Sequence, residues 1–357
     1  MADDFKYHID HHASLVPPPA LVDALRRHAA GELDDADLAA AVDEAVADSF
    51  VRQRRLGLLA LSDGEHGRGH DLAVVYDGVD GFGEPSDPSP LAQLVGPAHA
   101  PEVRPLTAVP TASGRIAAAE GARLGALTER STMIALPSPG YVAALCASED
   151  LQTDAGASLA AIIGGEVRAL AADGVTLVLL RNPALAFLLT VGGRERAAAL
   201  GIDLDKAVAA MVEADAAAIA DLGAVPEEFR VGLDLTSAGA ATGPWDVAAV
   251  EAFLGAQPYD RICVDYPAAA EQRFPLEVVP DGLVVSLGVV DVSDPALEDV
   301  DDLVARIDEA AELLDIDDIA VATNGGFHAV PGTPRETEHD KLELVEMTAR
   351  YFWGNEL

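Results

Sequence analysis

The feature that most constrains the fold is a recurrence of eight short apolar runs, most of them followed by an Ala- and Leu-rich stretch. The runs are Phe5–Ile9, Leu56–Leu61, Ser131–Leu136, Val175–Leu180, Phe229–Leu235, Arg261–Val264, Leu283–Val290 and Ile319–Thr323. Most are continuously apolar rather than alternating, as parallel strands covered on both faces should be. Between them, 19–53, 117–129, 156–173, 193–222, 244–256 and 298–314 read as helices, while 269–277 is too short to assign. Alternation on this scale predicts an α/β fold with a parallel sheet, either closed or doubly wound. Eight units favour closure into a single (β/α)8 TIM barrel over residues 1–357, with an N-terminal helical segment. The Pro- and Gly-rich stretch 78–112 reads as an insertion over the barrel mouth, with an extra strand near Val103–Val109.

Charge narrows the partners. The chain carries a formal net charge of −37, with lysine only at Lys6, Lys206 and Lys341 and carboxylates spread throughout. Such a field repels phosphate backbones and anionic lipid, so neither nucleic acid nor a membrane is expected as a partner. It suits a high-salt cytoplasm, as in a halophile, or an acid-biased proteome. No run approaches the length of a membrane span, and the N-terminus is acidic where a signal peptide would be basic, so a cytoplasmic protein is expected. Cys146 and Cys263 lie far apart in apolar surroundings and read as core residues, not as a disulfide or a structural zinc site. A homodimer is expected only from the general frequency of such oligomers.

In parallel barrels the functional groups sit at the C-terminal strand ends. Here those ends carry Asp10-His11-His12-Ala13-Ser14, then Ser62-Asp63-Gly64-Glu65 with Arg68 and His70, then Arg181-Asn182-Pro183. Asp234 and Thr236, Asp265 and Tyr266, Asp291 and Ser293, and Asn324-Gly325-Gly326-Phe327-His328 follow. Glu65, Asp234, His70 and His11 are the acid–base candidates. Ser14, Arg68, Arg181, Asn182, Asp265, Tyr266, Asn324 and His328 are the candidates for substrate binding. Plainer roles compete: His11 and His12 could cap the barrel end, Asp234 could be a helix N-cap, and Gly325-Gly326 could be only a turn.

These segments resemble the cobalamin-independent methionine synthase family, in particular its catalytic barrel and short single-barrel homologues. His11-His12-Ala13-Ser14-Leu15 is similar to the family's opening motif. Ser62-Asp63-Gly64-Glu65, with Arg68 and Gly81-Phe82, is similar to its substrate-binding segment. Ser286-Leu287-Gly288-Val289-Val290-Asp291, with Glu298, is similar to its seventh-strand signature. The resemblance implies the barrel fold, a thiol methyl transfer and a catalytic zinc held by His-x-Cys, Glu and Cys.

At those positions stand Asp234, Thr236, Asp265 and Gly325. Carboxylates and a hydroxyl make a poor thiophilic site, so zinc is not expected and no other metal or cofactor is assigned. Arg181-Asn182 replaces the acidic pair that the family uses for its amino-acid substrate, which favours an anion instead. Three functions therefore compete. The first is a zinc-less enzyme acting on a small anionic substrate by acid–base chemistry, of lyase, decarboxylase or hydrolase type. The second is methyl transfer from folate or another donor to an acceptor needing no zinc. The third is a ligand-binding paralogue without catalysis.

Overall fold

The computed structural model describes residues 8–241 and 243–354. A short antiparallel pair, β1 (Asp80–Phe82) and β2 (Leu106–Thr111), precedes the main sheet. That sheet has six parallel strands: β3 (Met133–Pro137), β4 (Leu177–Arg181), β5 (Arg230–Asp234), β6 (Arg261–Asp265), β7 (Val284–Val290) and β8 (Ile319–Thr323). They are hydrogen-bonded in chain order. Every residue of β3, β4, β6 and β8 is buried, which is why their sequences are continuously apolar. Each buried Leu or Val side chain there stabilises the fold by about 1.5–3 kcal/mol.

Among the described residues the sheet thus has six strands, where the sequence suggested eight. Of the first run, residues 5–7 lie outside the described part, and Ile9 makes a single parallel bridge to Val321. The second run loses its start to the helix Asp35–Leu56, which ends only at Gly57, left-handed at φ 80°. Beyond it, Leu61 bridges Thr132 and Gly64 bridges Ser14. Single parallel bridges therefore lead from the β8 edge through both segments to the β3 edge, without forming two further strands.

Helices cover the connections, but two expected helices are each split in two. The 19–53 stretch becomes Pro19–Ala29 and Asp35–Leu56, the second capped by the Asp34 side chain accepting the Asp37 N–H. The 193–222 stretch becomes Val191–Ala199 and Leu204–Ile219, broken at Gly201 and restarted by the Asp203 cap. The insertion supplies β1, β2 and a short helix, Pro90–Val95, and the extra strand falls at Leu106–Thr111. After β6, only two short 3-10 turns appear, Ala270–Gln272 and Leu276–Val278. The helix Arg335–Trp353, not foreseen from the sequence, closes the described chain. Gln152–Ala172 is long and apolar enough to cross a membrane, yet its buried face packs on Leu204–Ile219 and β2.

This architecture aligns the chemistry. Arg181 and Asp234 are register partners, each the last residue of its strand, and Asp265 ends β6. The loops carrying Ser14, Glu65 and His328 converge on the same end.

Candidate functional site

The backbone turns sharply where these loops meet. His12 (φ 58°) and Ala13 (φ 65°) are consecutive left-handed residues, and Glu65 is a third (φ 58°). Non-glycine residues rarely adopt this conformation, and they concentrate at functional sites. The double turn brings the Ser14 N–H back onto the His12 carbonyl (2.8 Å) and leaves the His12 and Ser14 side chains facing inward.

Arg181 is the hub of the inner site. Its Nη1 donates to both Glu65 oxygens (2.9 and 3.0 Å) and pairs with Asp71 (3.3 Å). Its Nη2 donates to the His12 carbonyl, and Nε lies 3.9 Å from Asp234. Arg68 repeats the theme with Glu120 (Nε–Oε1 2.7 Å) and Glu65 (3.1 Å), and it also donates to the Ala135 carbonyl (2.8 Å). Both guanidiniums are therefore committed to groups of the protein itself.

His12 carries a further positive charge. Its Nδ1 faces Asp234 Oδ2 at 2.8 Å and its Nε2 faces the Thr323 carbonyl at 2.7 Å. Both neighbours are acceptors, so both ring nitrogens must donate, which requires an imidazolium. Burial opposes that charge, but Asp234 outweighs it and the His12 pKa is raised. Asp234 responds in kind: burial alone would raise its pKa, whereas His12, Arg181 and Thr236 bring it down to about 2.

A second series of bonds runs beside the hub. The Ser14 hydroxyl lies 2.9 Å from His328 Nδ1, and His328 Nε2 lies 2.7 Å from Asp71 Oδ2. In the neutral imidazole with Nε2–H donating to ionised Asp71, Nδ1 is left to accept the Ser14 proton. Burial works against ionisation of Asp71, yet His328 and Arg181 hold its carboxyl below the usual carboxylate range. Ser14, Glu65, Arg68, His70, Asp71 and His328 all line one cleft of about 420 Å³. Its remaining wall is largely apolar, from Leu15, Val16, Leu25, Phe327 and Val330, and the insertion contributes Pro97, Ala98 and Pro101. Next to Arg181 and Asp234, by contrast, the free space is only about 20 Å³.

The other candidates are placed elsewhere. His11 donates to the Ala60 carbonyl (2.7 Å), has no partner at Nδ1, and has its pKa lowered by burial, as a neutral core histidine would. His70 packs edge-on against Tyr76 at the cleft wall. Asn182 turns to the Met211 sulfur. Tyr266 lies under the Arg273 guanidinium, 5.2 Å from its ring centre. Asp265 accepts the Ser237 hydroxyl (2.6 Å), and burial pushes its pKa to about 7. It lines a separate cavity of about 440 Å³, together with Asn324, which bonds Asp291 and the Val292 N–H. The strand-end ring read from the sequence is thus divided between two cavities.

Sequence reasoning missed Asp71, Glu120 and Arg306, and singled out His11 where His12 is the residue at the hub. Neighbouring residues point to different sides, and only the left-handed turn decides which histidine enters. Among groups that could hold a cation, Glu65, Asp71 and His328 bring ligand atoms within 4.8 Å of one another. Arg181 Nη1 already stands against both carboxylates, so that place is held by a guanidinium.

No family model and no curated protein matches this sequence. Solved structures do match in shape. A Listeria monocytogenes protein assigned as a vitamin-B12 independent methionine synthase superposes with a TM-score of 0.77 at 18% identity, covering 98% of this chain and 99% of that one. A B12-independent methionine synthase from Shewanella sp. W3-18-1, solved with selenomethionine, gives 0.76 at 16% identity, covering 97% of each chain. A methyltransferase from Methanosarcina mazei gives 0.52 at 13% identity, covering 99% of this chain and 96% of that one. At these identities the likeness is one of fold, and it spans nearly the whole chain.

Proposed function

We propose that the chain is a hydrolase-type enzyme acting on a small uncharged acyl compound in the 420 Å³ cleft. Ser14 is its nucleophile, His328 the base and Asp71 the group that orients the base. The observation that carries this reading is the unbroken Ser14–His328–Asp71 series, at 2.9 and 2.7 Å, in the wall of a cleft with an apolar side. In the reaction, Ser14 Oγ adds to the substrate carbonyl carbon while its proton passes to His328 Nδ1. Asp71 stabilises the imidazolium, which then protonates the leaving alcohol. Water, deprotonated by the same nitrogen, releases the acid and restores Ser14.

The reading keeps the acid–base chemistry expected from the sequence but drops the anionic substrate. Arg181 was its expected anchor, and Glu65, Asp71 and Asp234 already surround that guanidinium. Nor does the donor set suit zinc. Asp234 binds His12 and Thr236, Asp265 binds Ser237, and Gly325 has no side-chain ligand to offer. Oxygen donors already hydrogen-bonded are poor partners for a thiophilic ion.

Labelling with a fluorophosphonate, read by peptide mass spectrometry, tests the proposal. Ser14 is expected to carry the adduct, and Ser14→Ala and His328→Gln to lose it. Hydrolysis of p-nitrophenyl acetate should fall by about 10⁶-fold in Ser14→Ala. No label, or label that persists in Ser14→Ala, overturns the assignment. The shared fold with the Shewanella methionine synthase and the Methanosarcina methyltransferase favours a second reading, methyl transfer, for which we propose a folate as donor. On that reading a methylated folate raises the melting temperature and the phosphonate does not react.

A further inference from the structure

Arg306 is the buried cation that the relay leaves out. It lies on the helix Val300–Ala311, which packs against β7, and is 6% exposed. Its Nη1 donates to the Tyr266 carbonyl at 3.0 Å, and its Nε has no partner among the described residues. No carboxylate among those residues forms an ion pair with it. Glu298, one of the acidic groups acting on it, is already paired with Lys341 at 2.9 Å. Burial lowers the Arg306 pKa and the Arg273 charge lowers it further, and the opposing pull of Glu298 and Asp302 offsets only part of this. A buried guanidinium without an anion is costly, and a ligand that brings one would be held strongly.

The cavity in front of it has the volume for such a ligand, about 440 Å³, and a divided lining. Arg306 supplies one cation. Asp265, Asp291, Asp294 and Glu298 supply carboxylates, and Asn324 and Ser293 supply hydrogen-bonding groups. Asp291 is fixed in place, its Oδ1 accepting from Ser293 N–H (2.8 Å), Ser293 Oγ (2.7 Å) and Asn324 Nδ2 (3.0 Å). Such acidic walls repel a phosphate or a polyanion. They accept a single carboxylate only if the rest of the molecule donates hydrogen bonds.

We propose that this cavity binds a small monocarboxylate bearing a hydroxyl or ammonium donor. The carboxylate rests on Arg306 and the donor faces Asp291 and Asp294. The site is separate from the Ser14 cleft and the proposal does not depend on any reaction there.

The test is ligand-detected NMR on the full chain with L-serine, L-lactate and the methyl ester of each. At least one acid is expected to bind, its ester at least about tenfold more weakly, and Arg306→Met is expected to weaken binding by a similar factor. Binding of serine alone assigns the donor as ammonium, and binding of lactate alone as hydroxyl. Circular dichroism and melting check that Arg306→Met stays folded. Should it not, Arg306→Lys keeps the charge without the two-pronged donor, and at least threefold weaker binding there supports the site. The proposal is overturned if neither acid binds, if the esters bind equally well, or if binding is unchanged in the folded Arg306 variant.

Discussion

Two arginines at the same end of the sheet, Arg181 and Arg306, are almost equally buried, at 4% and 6% exposure, yet they live in opposite surroundings. Arg181 has three carboxylates around it, two of them in direct ion pairs, and donates to a backbone carbonyl as well. Both leave Nε without a hydrogen-bond partner, but Arg306 donates to one carbonyl and forms no ion pair among the described residues. The first is a structural cross-link that gathers the β4 and β5 ends and the Glu65 and His12 turns. The second is a charge still open to a ligand. Burial alone therefore says nothing about what an arginine is for; its partners do.

That contrast breaks most visibly at Arg181. Replacing it by Met strands Glu65, Asp71 and Asp234 near one another, and should cost about 3–5 kcal/mol in urea unfolding. A loss under about 1 kcal/mol would mean that the hub is not what holds these segments together.

His12→Gln comes next, at about 2–3 kcal/mol, because it removes the cationic hydrogen-bond donor from a buried carboxylate and leaves it only those of Thr236. Its pH dependence sharpens the point. The His12 pKa is raised above 6.5 in the fold, so its contribution is complete below that value and lost as pH rises through the folded pKa. Asp234, at about 2 against 3.8, contributes fully above 3.8 and loses that as pH falls toward 2. The gap between wild type and variant should therefore be widest between about pH 4 and 6.5.

Asp63 gives a smaller effect of opposite sign. Burial, with Glu120 beside it, raises its pKa from 3.8 to about 7, and its Oδ2 has no partner. The unfolded chain ionises first, so this group costs stability as pH rises from about 4 to 7. Asp63→Asn keeps an oxygen for the Glu65 N–H, now 2.9 Å from Oδ1, and should gain about 1–2 kcal/mol at pH 8 but little at pH 3.5. A flat difference across that range would show that Asp63 is not the titrating group.

The smallest change belongs to Arg306→Met. Removing a buried cation without an anionic partner should alter stability by less than about 1 kcal/mol, in the stabilising direction. A large loss would place Arg306 with Arg181 as a cross-link and erase the distinction.

Much of this molecule was legible in the sequence. β3, β4, β6 and β8 overlap continuously apolar runs because both of their faces are covered, a property each segment records locally, although β3, β4 and β6 each extend one residue beyond the run. The second run misled, because the helix Asp35–Leu56 overruns its start, while most of the first lies outside the described residues. In the site, Glu65, Arg68, Arg181, Asp234, Ser14 and His328 were singled out and do come together. Asp71 was not, since nothing near it in the chain marks it as the partner of a histidine 257 positions later. Asn182 and Tyr266 were singled out for their position at strand ends, but their side chains turn toward Met211 and Arg273.

What the sequence by itself determined is the kind of sheet and the end of it on which the chemistry lies, because apolar periodicity and strand polarity are local. Only the tertiary structure decided which charges are committed and which are open. Glu65 is 116 residues from Arg181, and His12 is 222 from Asp234. The energy of a buried charge depends on what stands within a few ångströms of it, and those neighbours come from segments whose approach no local pattern encodes.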